Sequence, residues 1–84
     1  MKYPSQTQLL STISVSGVVG DELRKTRLAA GLTQEWVAAR AKVTREYVSH
    51  IERGKHQPTV DVLMRLCAAM GTQAWRLIRQ LEER

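Results

Sequence analysis

From about Ser16 to the end of the chain, hydrophobic residues recur every three or four positions, which is the period of an α-helix. Three segments of this pattern stop at Gly31, Gly54 and Gly71, and glycine readily takes the left-handed conformation that ends a helix. Threonines, whose side-chain oxygen can cap a helix, precede the segments that follow. The pattern therefore predicts an all-α fold of five helices with short connections.

Apolar residues recur every three or four positions within each segment and so share one helix face. On the first predicted helix, capped by Ser16, this face comprises Val19, Leu23, Leu28 and Ala30. On the next three helices it comprises Val37, Ala38, Ala41, Val48, Ile51, Val62, Leu63, Leu66, Cys67 and Met70. We expect these faces to form the core, with Cys67 as a small buried hydrophobe rather than a reactive thiol.

The last predicted helix, over about residues 73–83, carries Trp75, Leu77, Ile78 and Leu81. This apolar area exceeds what a terminal helix needs to close so small a core. We therefore expect part of it to complete the core and part to form a two-fold dimer interface, because an uncovered apolar patch usually marks an interface.

The first 17 residues have a different composition, rich in Ser, Thr and Gln, with scattered apolar residues that include Leu9, Leu10 and Ile13. The chain is thus predicted to divide into an N-terminal arm, residues 1–17, and a folded domain, residues 18–84. Two interpretations of the arm stay open. It is either a flexible tail or a segment that packs on a second subunit.

The stretch over residues 33–52 reads TQEWVAARAKVTREYVSHIE and predicts two short helices joined by a tight turn. Ala38 is small enough to let the helices touch, and Val43 fills the turn. Val48 and Ile51 anchor the second helix, and the rest of that helix is polar. Such a surface is either merely solvated or, in a helix-turn-helix, offered to the major groove of DNA.

The chain has 84 residues, enough for one domain, and a net charge of +5 from 13 basic and 8 acidic side chains. Residues 21–58 hold eight of the basic and five of the acidic side chains, so the excess is concentrated around the predicted turn. A pI near 10.0 is typical of a protein that binds a polyanion such as nucleic acid. Solubility alone is the other explanation of so modest an excess.

Several functional classes find no support in the sequence. A single cysteine excludes an intramolecular disulfide and a multi-cysteine zinc site, and His50 and His56 have no partners at metal-ligand spacing. No phosphate-binding glycine loop or Ser/His/Asp set appears, and no apolar run approaches the roughly 20 residues that span a bilayer. We expect a cytoplasmic protein that is not an enzyme, with no metal, cofactor, small-molecule ligand or membrane association.

The segments LRKTRLAAGLTQEWVA, VTREYVSHIERGK and PTVDVLMRLCAAMG, followed by an amphipathic helix, resemble the Cro and phage-repressor-like helix-turn-helix family, also called the xenobiotic-response-element type. The resemblance runs from Leu23 to Leu81. It implies a compact, lambda-repressor-like domain of five helices with a central helix-turn-helix. Such a domain binds double-stranded DNA, usually as a homodimer on palindromic operators.

The resemblance also implies a role for each matching residue. The base-contacting residues would be Arg45, Glu46, Ser49 and His50. The phosphate-contacting residues would be Thr33, Gln34, Lys42, Thr44, Tyr47 and Lys55. Gln34 would also buttress the third helix. Arg27 and Glu52 match a pair that forms an internal salt bridge in relatives, which would leave Glu52 unavailable to DNA.

Lys42 departs from the family's pattern, which usually has glycine at this position of the turn. A left-handed conformation costs a non-glycine residue about 1 kcal/mol. Lys42 is therefore either slightly strained or part of a somewhat different turn, and its side chain can point toward a DNA phosphate.

Small free-standing members of the family include restriction–modification controller proteins, and the short chain with its compact last helix most resembles these. The chain is therefore interpreted as a sequence-specific transcription regulator. A Cro-like phage repressor and the antitoxin of a toxin–antitoxin pair are the alternatives. A protein-interaction module with the same fold is a third class, against which the polar residues at the DNA-facing positions argue.

Overall fold

A computed structural model describes the backbone of residues 15–83 and the side chains of residues 17–83. Over this range the chain forms five helices and no strand: α1 (Val15–Ala29), α2 (Gln34–Ala41), α3 (Arg45–Glu52), α4 (Val60–Ala69) and α5 (Ala74–Glu82). The predicted all-α fold is confirmed. Helix α1 packs on α3 and α5, α2 packs on α3 and α4, and α4 packs on α5.

Helices α2, α3 and α4 begin directly after capping threonines. The hydroxyl oxygens of Thr33, Thr44 and Thr59 accept hydrogen bonds from the backbone N–H three residues later, at 3.0, 3.1 and 3.1 Å. Each bond satisfies one of the N–H groups that a helix N-terminus leaves without a partner inside the helix. The glycines that follow α1, α3 and α4 have positive φ, as the sequence pattern predicts.

All five helices contribute to one apolar core. Its buried members are Leu23, Val37, Ala38, Ala41, Val48, Ile51, Val62, Leu66, Cys67 and Leu77. Val19, Leu63 and Met70 lie at its edge, half-buried. Burial raises the pKa of the Cys67 thiol to about 11, so the thiol is protonated at neutral pH and is a poor nucleophile.

Helix α1 differs from its prediction at both ends. It begins at Val15, so Ser16 lies inside the helix rather than capping it, and the predicted domain boundary after residue 17 falls within the helix. Leu28 is 51% exposed because the buried face runs through Leu23 and Arg27. Ala30 lies after the end of α1 and is exposed. Leu28 follows Arg27 and is therefore rotated about 100° away from that face. The predicted arm contacts of Leu9, Leu10 and Ile13 lie outside the described residues.

Gly20 allows α1 to approach α3 closely. The residue is buried, and a Cβ atom at this position would overlap the backbone carbonyl oxygen of Ile51 near the end of α3. Only glycine fits without a shift of one backbone against the other. The approach fixes how far α3 stands from the body of the domain.

Replacing Gly20 with alanine tests this contact. Helix propensity alone favours alanine by about 1 kcal/mol. Overlap with the Ile51 carbonyl should outweigh that gain and lower the free energy of unfolding by about 1–3 kcal/mol in urea titrations. A Gly20→Ala variant more stable than the wild type would contradict the close approach.

The turn between α2 and α3 is built around a left-handed lysine. Lys42 has φ 61° and ψ 44°. Its N–H donates to the carbonyl of Ala39 at 3.3 Å, and the Val43 N–H donates to the carbonyl of Ala38 at 3.0 Å. These two bonds are the Schellman pattern that usually carries glycine at the left-handed position. Of the two interpretations of Lys42, the strained one is therefore the one the structure shows.

The strain at Lys42 can be measured with a pair of substitutions. Lys42→Gly and Lys42→Ala both remove the side chain and its charge, but only glycine takes positive φ freely. We expect the glycine variant to be more stable than the alanine variant by up to about 1 kcal/mol, less whatever glycine adds to the entropy of the unfolded chain. An alanine variant that is clearly more stable than the glycine variant would contradict strain at this position.

Candidate nucleic-acid interface

Helix α3 has one buried and one exposed face. Val48 and Ile51 lie in the core. The four predicted base-contacting residues share the opposite side, with Ser49 half-buried and Arg45, Glu46 and His50 exposed. Arg45 Nη2 lies 3.9 Å from Glu46 Oε1. Such an exposed ion pair contributes little to stability and can rearrange on binding.

The predicted phosphate-contacting threonines are the caps of α2 and α3. Thr33 and Thr44 are exposed, and each hydroxyl oxygen accepts a backbone N–H, which leaves the hydroxyl hydrogen available to an acceptor. Helix N-termini attract phosphates through their N–H groups and dipole. Lys42 and Lys55, both exposed, precede and follow α3 in the chain and add positive charge.

The loop after α3 is held against that helix. The backbone N–H groups of Lys55 and His56 both donate to the His50 carbonyl, at 2.8 and 3.3 Å. The His56 ring meets the Tyr47 ring edge to face, with centroids 4.9 Å apart. Tyr47 is half-buried against the core, and the loop presents Lys55 beside the C-terminal end of α3.

Two further polar side chains near α3, those of Arg53 and His56, were not among the predicted DNA-contacting residues. Arg53 is exposed and donates from Nε to the Ser49 carbonyl at 3.4 Å, and His56 contacts Tyr47. Arg53 directly follows α3 and His56 lies four residues after its end, and this closeness to α3 in the chain was the signal that could have identified them.

A buried ion pair joins α1 to α3. Arg27 donates from Nε to Glu52 Oε2 at 2.7 Å and from Nη2 to Glu52 Oε1 at 3.0 Å, and its Nη1 donates to the Leu32 carbonyl at 2.7 Å. The hydrogen bond to Glu52 raises the pKa of Arg27, against desolvation by burial and with added attraction from the charges of Glu52 and Glu35. This is the pair that the resemblance implied, and Glu52 is turned away from the exposed face of α3.

Gln34 connects this ion pair to the surface. Its Nε2 donates to Glu52 Oε1 at 3.0 Å, and its Oε1 accepts from Arg45 Nη1 at 3.3 Å. A carboxylate only accepts and a guanidinium only donates, so the two contacts fix which way the Gln34 amide points. A continuous chain of hydrogen bonds therefore runs from buried Arg27 to exposed Arg45.

The contribution of the ion pair can be isolated by comparing two Glu→Gln substitutions. Glu52→Gln leaves a buried guanidinium without its counter-charge and should lower the free energy of unfolding by about 3 kcal/mol or more. Glu83→Gln removes the partner of Arg79 in an exposed pair at 3.2 Å and should cost about 0–1 kcal/mol. Equal, small losses in urea titrations would contradict a structural role for the buried pair.

The last helix differs from its prediction at Leu77. Leu77 is 1% exposed and belongs to the core, so it is not available to a dimer interface. Leu81 is half-buried against the core, whereas Trp75 and Ile78 are exposed. Leu77 lies about 100° from Ile78 around the helix axis. Leu77 therefore faces the core, whereas Ile78 faces the surface.

Trp75 and Ile78 line an apolar groove together with residues of α4 that the sequence reasoning did not assign to an interface. Val60 is 73%, Met64 57%, Trp75 53% and Ile78 45% exposed, and all four line the groove. Val60 and Met64 are one turn apart on α4, and this outward spacing was the signal that could have identified them.

Within residues 15–83, no group of three or more His, Cys, Asp or Glu side chains is arranged to hold a metal ion. In the same part of the chain, no helix has the length and apolar composition needed to cross a membrane.

Comparisons with known proteins agree with the helix-turn-helix fold. A family model described as a helix-turn-helix domain matches residues 18–80. The chain is 38% identical over 66 residues to the HTH-type transcriptional regulator y4dJ of Sinorhizobium fredii, a match that covers 79% of this chain and 86% of that protein. It is 41% identical over 56 residues to the transcriptional regulator ClgR of Mycobacterium tuberculosis, covering 67% of this chain and 50% of that protein.

A solved structure adds a DNA complex. The chain superposes with a TM-score of 0.75 and 26% identity on the restriction–modification controller protein C.Esp1396I, solved as a tetramer with its natural 35 base-pair operator, and the match covers 81% of this chain and 90% of that one.

Proposed function

Because the chain belongs to the helix-turn-helix domain family, we propose that it is a sequence-specific transcription regulator that acts as a homodimer on palindromic operators. Its matched relatives are transcriptional regulators, a class that is generally not enzymatic. Within that class we propose the role of a restriction–modification controller protein.

The exposed face of α3 is the observation that carries the DNA-binding part of this proposal. Arg45 can bond bidentately to guanine O6 and N7, and Glu46 can accept from cytosine N4. Ser49 and His50 extend the same face by one turn. The capped N-termini of α2 and α3, with Lys42 and Lys55, supply phosphate contacts that orient the helix in the groove.

Selection from a random duplex library tests the proposal. We expect one enriched palindromic sequence, which then serves as the specific probe, with a scrambled duplex of equal composition as the non-specific probe. A dimer that neutralises about 6–10 phosphates should lose on the order of 10³–10⁵ in affinity between roughly 50 and 200 mM salt. No enriched sequence, or an affinity that does not depend on salt, would contradict DNA recognition.

Base and phosphate contacts should respond differently to substitution. Arg45→Ala should lose discrimination at one base pair of each half-site, by about 1–3 kcal/mol. Lys55→Ala should weaken binding to all sequences about equally and lower the salt slope by about 1 for each lost contact. Gel shifts with probes altered at single base pairs measure both effects. Arg45→Ala with its sequence preference intact would mean that Arg45 contacts phosphate.

The apolar groove between α4 and α5 supports the homodimer. One recognition helix reads only a few base pairs, whereas two helices related by a two-fold axis read half-sites about 34 Å apart. An isologous contact would bury Val60, Met64, Trp75 and Ile78 against their own copies. Arg76, whose guanidinium lies 5.2 Å from the Trp75 ring centroid, would lie at the polar rim.

A charge in this groove should separate the subunits. Ile78→Glu buries a carboxylate in the proposed contact and should give a monomer in sedimentation equilibrium at micromolar protein, with loss of operator binding. Leu28→Glu places the same charge at a residue of similar exposure on α1, outside the groove lining, and should stay dimeric. A wild-type monomer, or a dimeric Ile78→Glu variant, would contradict this interface.

The identity of the adjacent genes tests the controller role. A neighbouring methyltransferase and endonuclease would support it, whereas phage structural genes or a toxin gene would favour one of the alternatives.

A further inference from the structure

Arg65 on α4 contacts the helix-turn-helix without belonging to it. Its Nη1 donates to the backbone carbonyl of Ala41, the last residue of α2, at 3.0 Å. Its Nη2 lies 3.2 Å from Oδ2 of Asp61, one turn earlier on α4. The Nε group is buried and has no hydrogen-bond partner among the described residues. In the conformation that reaches α2, the Nε group of Arg65 therefore makes no hydrogen bond.

The carbonyl that Arg65 reaches is one that the turn leaves unsatisfied. The last carbonyls of a helix have no partner within the helix. At the end of α2, Val43 N–H bonds to Ala38 O and Lys42 N–H bonds to Ala39 O. These bonds complete the Schellman pattern and do not involve Ala41 O, which accepts the Arg65 guanidinium instead.

The contact lies next to the strained residue of the turn. Lys42 follows Ala41 directly and holds a left-handed conformation that glycine would adopt without strain. The direction in which α3 leaves the turn depends on the backbone angles of Lys42 together with those of Val43 and Thr44. A guanidinium bonded to the adjacent peptide restrains the strained position from outside, and Asp61 orients the guanidinium through the second fork nitrogen.

We propose that Arg65 is a positioning residue for DNA recognition. It fixes the turn between α2 and α3, and thereby sets the orientation of the exposed face of α3 that carries the proposed base-contacting residues. This inference rests on the proposed function. It also gives α4 two roles, because Val60 and Met64 on the same helix line the proposed dimer groove. Arg65 then links the dimer contact to the angle at which each α3 meets its half-site.

The test compares sequence discrimination with stability. The measured quantity is the ratio of affinities for the selected palindromic duplex and for its scrambled counterpart. A variant that is merely less stable loses active protein for both probes equally, so its ratio stays constant. Arg65→Met, which keeps the aliphatic stem, should lower the ratio by up to about tenfold, because the energy of one charge-assisted hydrogen bond is the most that the lost restraint can contribute.

Two further variants separate geometry from charge. Lys25→Met removes one positive charge and an exposed pair with Asp21 on α1, and its ratio should match the wild type. Arg65→Lys keeps the charge, but a single ammonium cannot span Ala41 O and Asp61 as the guanidinium fork does. Its ratio should fall between the wild type and Arg65→Met. A lysine variant with the wild-type ratio would overturn the role of the fork.

Hydrogen exchange of the Val43 amide, followed by NMR on the free protein, reads the turn directly. Arg65→Met should speed exchange at Val43 at least about tenfold more than at Leu66 in the core, since the turn opens locally when its restraint is lost. An unchanged Val43 amide would overturn the inference, whatever the DNA data show. Failure of the wild type to select any sequence would instead contradict the proposed function, and Val43 exchange would still decide whether Arg65 restrains the turn.

Discussion

The buried ion pair between Arg27 and Glu52 is the interaction on which the rest of the structure depends. A carboxylate near the C-terminal end of a helix is unfavourable for the helix dipole and costly to bury, so Glu52 needs a cation at hydrogen-bond distance. Arg27 supplies it from α1 in a two-bond fork. Together with the close backbone approach at Gly20, the pair fixes α3 against α1 at two points.

A series of hydrogen bonds leads from this ion pair to the surface. Glu52 still has acceptor capacity after binding Arg27, and Gln34 uses it. The Gln34 amide then has one orientation, which presents its oxygen to Arg45. A long exposed arginine loses much rotamer entropy when it binds a base, and a partner that already restrains it reduces that loss. The buried charge pair thus restrains, through Gln34, the side chain of Arg45, which is one of the proposed base-contacting residues.

The helices around α3 divide the remaining tasks. Helix α2 brings Gln34 and a capped N-terminus to the same edge as α3. Helix α4 packs on α2 through the core, bonds the end of α2 through Arg65, and turns Val60 and Met64 toward the groove. In a chain this small each helix serves both core and surface, so residues one position apart, such as Leu77 and Ile78, have opposite environments.

Much of this could be predicted from the sequence, because local signals determine it. Capping threonines and glycines with positive φ set the helix ends, and the apolar spacing on α2 and α3 identifies their buried faces. The resemblance to a family with glycine at this position left two interpretations of Lys42 open, and its φ of 61° decides between them. The errors arise where tertiary contacts decide. Leu28 lies on the surface because Arg27 takes the buried face of α1 to meet Glu52.

The resemblance implied that Gln34 buttresses α3, but its partners, and the contact of Arg65 with Ala41 O, could not be predicted for the same reason. Neither the hydrogen bond from Arg45 to Gln34 nor that from Arg65 to Ala41 O follows from spacing, since each joins different helices. The groove shared by α4 and α5 likewise depends on how two helices pack, and helical spacing shows only the apolar residues that each contributes.

An NMR titration of the protein with the selected duplex tests most directly whether α3 is the surface that reads DNA and Gln34 its support. The largest amide shift changes should fall at the N-terminal ends of α2 and α3, with the Gln34 side-chain amide among them, and in the loop at Lys55. Changes centred on the α4–α5 groove, with α3 unaffected, would contradict that assignment.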